Sequence, residues 1–406
     1  MTGAATTGTV LVARMDNAGD VLLAGPAIRA VAKGAREVVL LVGPHGRAVG
    51  EMLPGVSRVV EWRTPWIDPE PSPMTGPHAL RLLRIIRDVA PEQALIFTSF
   101  QQSPLPLALL FKLAGTPRTA AICADHAASL LDVRHVVDES VDVPETERML
   151  ALARAAGFDL PRGDGGALAL RGPLPEVGYL TGPPGYVVVH PGASVQARAW
   201  PATSWARAVQ DLVRAGRRVV VTGGRGERAL TARVAGGAGQ HGLSAGPAFS
   251  GQWMAGGPTL ACGVAGDERA LTDGWVEGGP ALPGGYWEKN GSTGRSITDL
   301  GGRTTFAELA AVLAGASVVV VANTGPAHLA AAVGTPVVSL FAPVVPAGRW
   351  APYGVPTVIL GDQQAPCRGT QARVCPVSGH PCLTSVSSDQ VVEAVNRLVC
   401  AKEDVK

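Results

Sequence analysis

Twice along this chain, short runs of β-branched and aliphatic residues alternate with segments of helical periodicity, and a Gly/Pro-rich stretch over 159–184 separates the two series. This alternation restricts the fold more than any other feature. A strand that pairs with a later one across an intervening helix does so in parallel, with helices covering both sheet faces. The first series runs through a strand at 8–14, apolar-periodic residues at 21–32, a strand at 38–42, a Pro-rich connector over 64–77, a helix at 80–89 and a strand at 94–97. The second runs through strands at 186–190 and 218–222, helices at 203–215 and 306–314, a strand at 318–321, a helix from 326 to 333 and a strand at 336–341. The expected fold class is α/β: two Rossmann-like, doubly wound parallel-sheet domains, an N-terminal one over 1–175 and a C-terminal one over 185–406, facing a cleft. A length of 406 residues agrees, since it exceeds what one ordinary core organises.

Composition removes several function classes. The net charge is +2 and no dense Lys/Arg run is interleaved with aromatics, so nucleic acid is not an expected partner. The first seven residues have neither a basic nor an apolar signal region, and no apolar stretch is long enough to span a bilayer, so the expected location is the cytoplasm. Of the six cysteines, Cys123, Cys262 and Cys400 are scattered, whereas Cys367, Cys375 and Cys382 cluster around His380. A structural zinc site favours a tight Cys-x2-4-Cys pair, which this spacing lacks, so a reduced structural loop is expected and no metal. Residues 237–296 form a Gly-rich insertion without periodicity, holding Trp253, Trp275 and Trp287 and an echo of Glu227–Thr231 at Glu268–Thr272. A mobile insertion is expected there, because that composition buries little surface per residue.

Four groups of residues sit where strands of such folds end and ligands bind. Asp20 follows Gly19 after the first strand, and its position is compatible with a proton acceptor near a helix N-terminus or with a plain N-cap. The segment His190-Pro-Gly-Ala-Ser194-Val-Gln-Ala-Arg198-Ala-Trp200-Pro201 joins small residues, which let a backbone approach a ligand, to a fixed cation, as a diphosphate requires. In Ala322-Asn323-Thr324-Gly325-Pro326-Ala327-His328, polar groups and glycine precede a helix whose first-turn amides point at an anion, with His328 in reach. Glu227, after Gly223-Gly224, suits either ribose hydroxyls or a helix first turn.

Together these segments resemble glycosyltransferase family 9, the heptosyltransferases of the lipopolysaccharide inner core. The resemblance rests on Arg14-x-Asp16-x-x-Gly19-Asp20, on His190-Pro-Gly-Ala with Arg198-x-Trp200-Pro201, on the run from Asn323 to Pro336, on Leu340-Phe-Ala-Pro343 with Arg349-Trp350, and on the cysteine-bearing tail. It implies a GT-B fold and an inverting, metal-independent transfer from a nucleotide sugar, ADP-heptose first and another NDP-sugar second, with no other cofactor. Asp20 maps onto the general base, and Arg198 onto a phosphate contact that is lysine in some members. Ser194, Glu227, Asn323, Thr324, Gly325 and His328 fall on the donor side, and Arg14 and Gly19 on the acceptor side. The implied acceptor is a glycan, lipid-linked with peripheral membrane contact, or a small molecule. The Ala, Gly, Val and Arg bias is that of a high-GC bacterium. A non-catalytic sugar-nucleotide-binding protein and a sugar-nucleotide 2-epimerase are the competing readings. A dinucleotide oxidoreductase is disfavoured, because no Gly-x-Gly-x-x-Gly follows the first strand.

Overall fold

The computed structural model of the chain describes residues 7–68, 71–236 and 296–403. The insertion, with its tryptophans and its sequence echo, lies outside the described residues but for Ser296. The first sheet is built from β1 (Thr7–Arg14), β2 (Ala35–Val42), β3 (Arg58–Glu61), β4 (Gln93–Phe97), β5 (Arg118–Ile122) and β6 (Val133–His135). The second is built from β7 (Tyr186–His190), β8 (Val219–Val221), β9 (Ile297–Asp299), β10 (Ala316–Ala322), β11 (Val337–Leu340) and β12 (Thr357–Leu360). Every pairing is parallel, and the orders are β3-β2-β1-β4-β5-β6 and β12-β11-β10-β7-β8-β9. Each sheet therefore reverses direction once, between β1 and β4 and between β7 and β10. A ligand crevice opens at such a switch point, outside the carboxyl ends of the strands.

The period of two along a strand divides the core. Val10, Val12, Val38, Leu40 and Val42 face the helices Gly25–Gly34 and Glu145–Ala155, while Leu11, Ala13, Val39 and Leu41 face Gly76–Val89 and Leu105–Ala114. The first of these clusters continues into the second domain through the helices Phe306–Ala314 and Gly325–Ala332, so one apolar core spans both sheets. The far side of the second sheet is covered by Ala202–Arg214 and Ser388–Glu403.

The sequence expectation of one helix over 21–32 is corrected. The chain forms Ala18–Leu23 and Gly25–Gly34, broken at Ala24, because Pro26 has no N–H to continue the first helix and sits at the start of the second. The stretch 159–184 also does not hang free. Asp164 takes two bonds from Arg29 at 2.7 and 2.8 Å, and Leu168 and Val177 are buried against the first core. No helix among the described residues is long and apolar enough to cross a membrane.

Candidate functional site

On the first sheet the switch point brings together the segments that leave the carboxyl ends of β1 and β4. Arg14, the last residue of β1, is fully buried and extends its guanidinium to three side chains. Its Nη2 donates to Ser99 Oγ at 2.7 Å and to Asp20 Oδ1 at 3.2 Å, and its Nε faces Asp16 Oδ2 at 3.4 Å. Asp16 is held in turn by Gln102 Nε2 at 2.6 Å. Burial raises the Asp16 carboxyl against the pull of Arg14, and the charge of Asp20 pushes the same way as burial. For Arg14, burial disfavours the charge, and Asp16, Asp20 and Glu145 together outweigh it. The N-cap alternative for Asp20 is replaced. Asn17 is the cap, and Asp20 lies in the first turn with about one fifth of its side chain exposed and one oxygen fixed by Arg14.

Behind this group lies a second charged layer. Glu145 is fully buried and takes Arg148 Nη1 at 3.0 and 3.2 Å, while Arg148 Nη2 reaches Glu139 at 2.5 Å. Arg349 crosses over from the second domain to Glu139 at 3.0 Å and Asp142 at 2.9 Å, with its guanidinium 4.1 Å from the Phe100 ring centroid.

On the second sheet, β7 and β10 flank the crevice. His190 ends β7 and pairs its Nδ1 with Thr222 Oγ1 at 3.0 Å, while its Nε2 lies 3.7 Å from Glu227. Glu227 accepts from the Gly224 amide at 2.7 Å. At Gly192 a Cβ would come within 1.9 Å of the Glu227 carboxylate, so a larger residue there would displace that side chain. Ser194 is exposed in the loop after β7. Arg198 stands in a 3₁₀ turn, with Nη1 3.5 Å from the Asn323 carbonyl and Nε unpartnered among the described residues. Burial lowers its pKa, and the charge of Asp20 opposes that, so the two groups feel each other across the cleft.

Asn323 differs from expectation. Its side chain bridges the backbone of Ala342, donating to the carbonyl at 3.4 Å and accepting from the amide at 3.3 Å, so it is turned to hold the neighbouring loop. Thr324 is the N-cap of the helix Gly325–Ala332 but gives it no side-chain cap; Pro326 has no N–H and the Ala327 amide is turned to the Thr324 carbonyl, which leaves the Gly325 amide at the helix start for an anion. Gly325 and Gly19 meet directly. A Cβ on Gly19 would lie 3.0 Å from both Gly325 Cα and His328 Cδ2.

His328 is buried with Nδ1 unpartnered among the described residues, and burial, helped by the Arg198 charge, pushes it down to about 4. Folding thus favours the neutral imidazole. Its contribution is complete above the ordinary histidine value near ~6.5 and shrinks as pH falls from there toward about 4, by up to roughly 3 kcal/mol. We expect His328→Gln to flatten the fall in urea-unfolding free energy between neutral pH and pH near ~4.5. A variant with the wild-type slope would show that another group carries it.

The cysteines Cys367 and Cys382 are buried and Cys375 is half-buried, beside the apolar core under the second sheet. Burial and the neighbouring Cys367 push the Cys382 thiol up to about 12. His380 turns its Nε2 to the Ala197 carbonyl at 3.1 Å. Among the described residues no group of three or more His, Cys, Asp or Glu side chains could hold a metal ion.

A family model for glycosyltransferase family 9 (heptosyltransferase) matches residues 97–242 and 288–379, more than half of the chain. The chain belongs to this family and is a glycosyltransferase. The match begins at Phe97, so it covers the donor-side segments and leaves Arg14, Gly19 and Asp20 outside it. Among solved structures, the family 9 glycosyltransferase of Veillonella parvula DSM 2008 superposes with a TM-score of 0.66 at 13% identity, over 98% of this chain and 99% of its own. Escherichia coli ADP-heptose LPS heptosyltransferase II gives 0.64 at 16% identity, over 97% and 99%. E. coli heptosyltransferase WaaC with ADP gives 0.61 at 18% identity, over 96% and 99%. These likenesses establish the GT-B fold. Comparison with curated protein sequences finds no match.

The site holds several residues that the motifs alone do not mark. Ser99 and Gln102 follow β4, and their role is visible only once β4 is known to lie beside β1. Glu145 and Arg148 lie on a helix that the strand and helix periodicity does not reveal. Arg373 adds a second positive charge that acts on Arg198.

Proposed function

We propose that the chain is an inverting transferase that moves a sugar, heptose first, from ADP-heptose or another nucleoside-diphosphate sugar to an acceptor hydroxyl, with Asp20 as general base. One observation carries this reading. The Asp20 carboxylate, oriented by Arg14, sits on the residue next to Gly19, which touches the N-terminus of the helix Gly325–Ala332, so base and anion site share one cleft. Asp20 takes the acceptor proton as the acceptor oxygen bonds to the anomeric carbon. The bond from that carbon to the diphosphate oxygen breaks on the opposite face, and the nucleoside diphosphate leaves with the electron pair. Arg198 and the Gly325 amide at the helix start meet the charge that develops there. Neutral His328 donates to or accepts from that group without adding charge. These groups suffice in this scheme without a metal, so a chelator is expected to leave the rate unchanged.

The solved WaaC complexes hold ADP and ADP-2-deoxy-2-fluoro heptose, which supports an ADP-sugar as the first donor to try. The acceptor we propose is a glycan or lipid-linked saccharide, with a small hydroxylated metabolite as the second choice. The test is a thermal-shift screen of nucleotide sugars followed by product analysis. A donor at a hundred times its Kd stabilises the fold by about 2.7 kcal/mol. A chain that no nucleotide sugar stabilises overturns the reading. Sugar-nucleotide isomerisation without acceptor would assign an epimerase instead, and binding without turnover a binding protein. Arg198→Ala is expected to reduce kcat/KM by roughly 10²–10³-fold, the scale of losing one donor to developing charge, and wild-type kinetics would remove Arg198 from the site.

A further inference from the structure

The turn that leaves β4, from Ser99 to Gln102, is held from both domains. Ser99 Oγ takes Arg14 Nη2 at 2.7 Å, and Gln102 Nε2 donates to Asp16 at 2.6 Å while its Oε1 accepts from the Ser99 amide at 3.0 Å. These two residues face the first domain and steady the groups around Asp20. The two between them turn to the second domain. The Arg349 guanidinium lies over the Phe100 ring, and Gln101 Oε1 accepts from Gln371 Nε2 at 2.8 Å.

Gln371 belongs to a segment that also fixes the turn of Arg198. Its own amide donates to the Val344 carbonyl at 2.8 Å. Two residues on, the Arg373 carbonyl accepts from the Ala197 amide at 3.0 Å, and the Cys375 amide donates to Gln196 Oε1 at 3.0 Å. Gln196, Ala197 and Arg198 make up that 3₁₀ turn. The bond between Gln101 and Gln371 therefore joins the support of the Asp20 group to the support of Arg198. Both glutamines hold the left-handed backbone conformation, with φ of 68° and 54°, which a side chain disfavours and glycine takes readily. Such a conformation persists where the surrounding contacts over-determine it. Both residues are exposed, so neither side chain fills a core.

We propose that Gln101 and Gln371 are positioning residues for the transfer, their bond setting how Asp20 stands relative to Arg198 across the closed cleft, on the reading of Asp20 as the base. They act through the turn after β4 and through the turn of Arg198, not on the reacting atoms. In-line displacement is sensitive to that alignment, because base and leaving group lie on opposite faces of one carbon.

The test compares Gln101→Gly and Gln371→Gly, each of which suits its backbone and removes only the side chain, with wild type and Asp20→Asn. Assays run well below each chain's melting temperature keep folding out of the comparison. Each glycine variant is expected to lower kcat by about five- to ten-fold, the scale of one neutral hydrogen bond, with the KM for the donor nucleotide sugar unchanged. The double variant should be no slower than the slower single one, because both remove the same bond. Gln101→Glu keeps an acceptor for Gln371 Nε2 and should restore most of the rate. Wild-type kcat in either glycine variant, a loss confined to KM, losses that multiply in the double variant, or a Gln101→Glu chain as slow as Gln101→Gly each overturn the proposal while a slow Asp20→Asn leaves the base in place. A fast Asp20→Asn chain, or a wild type that turns over no nucleotide sugar, removes the base reading and the positioning pair with it.

Discussion

Asp20→Asn is expected to lower turnover by roughly 10²–10⁴-fold while the donor still stabilises the protein against heat, the range a positioned base supplies. The substitution is isosteric and keeps an oxygen for Arg14 Nη2, so the ordered side chains Arg14, Ser99 and Asp16 stay in place. It removes the proposed capacity to take a proton from the acceptor, together with the negative charge that Arg14 and Arg198 face. Measuring kcat together with the donor-induced melting shift separates chemistry from binding. A variant with wild-type kcat would place the base elsewhere, whereas loss of both signals would show that Asp20 holds the cleft together.

The second large effect is expected at Arg349. This side chain is almost wholly buried and reaches Glu139 and Asp142 of the other domain, with Glu145 3.9 Å away and fully buried. Removing it leaves Glu139 and the fully buried Glu145 to Arg148 alone and gives Asp142 back to solvent, a loss of charge-assisted hydrogen bonds that costs about 1.5–3 kcal/mol. We expect Arg349→Ala to lose that much in denaturant unfolding, more than Arg198→Ala, whose guanidinium has a carbonyl rather than a carboxylate beside it. Glu139 is shared between Arg349 and Arg148, so a double-mutant cycle through Glu139 and Arg349 should show coupling rather than additivity. An Arg349→Ala chain as stable as wild type would mean that water screens the cluster.

The alternation of strand and helix is readable because the central strands are buried on both faces and are therefore continuous apolar runs, as in Val38–Val42 and Val318–Val321. The edge strands are not readable. β3, β6 and β9 are short, carry polar or charged residues and are half-buried or exposed, and β12, although Thr-Val-Ile-Leu is β-branched, is only four residues long behind a Pro/Gly stretch. β5 escapes for a different reason: Arg-Thr-Ala-Ala-Ile is buried but rich in small residues. At the site, the positions of Arg14, Asp20, Arg198, Thr324 and His328 after their strands are legible from local sequence, and all five come to the cleft. Ser99, Gln102 and Glu145 are not, because their proximity to Arg14 depends on sheet order, which pairs β1 with a strand about eighty residues away. Asn323 shows the converse limit. Its place in the loop is evident, but the demand of Ala342 for its amide is not.

Gly19 and Gly325 touch backbone to backbone, with no side chain between them. Such a contact acts as a mechanical stop. Ion pairs such as those of Arg349 set how strongly the domains hold together, and they respond to salt and pH, but how near the domains can come is fixed here by atomic radii. A donor sugar and its acceptor must lodge beside this stop rather than within it. The narrowest gap the cleft can reach is then a property of the chain, indifferent to the ionic conditions around it.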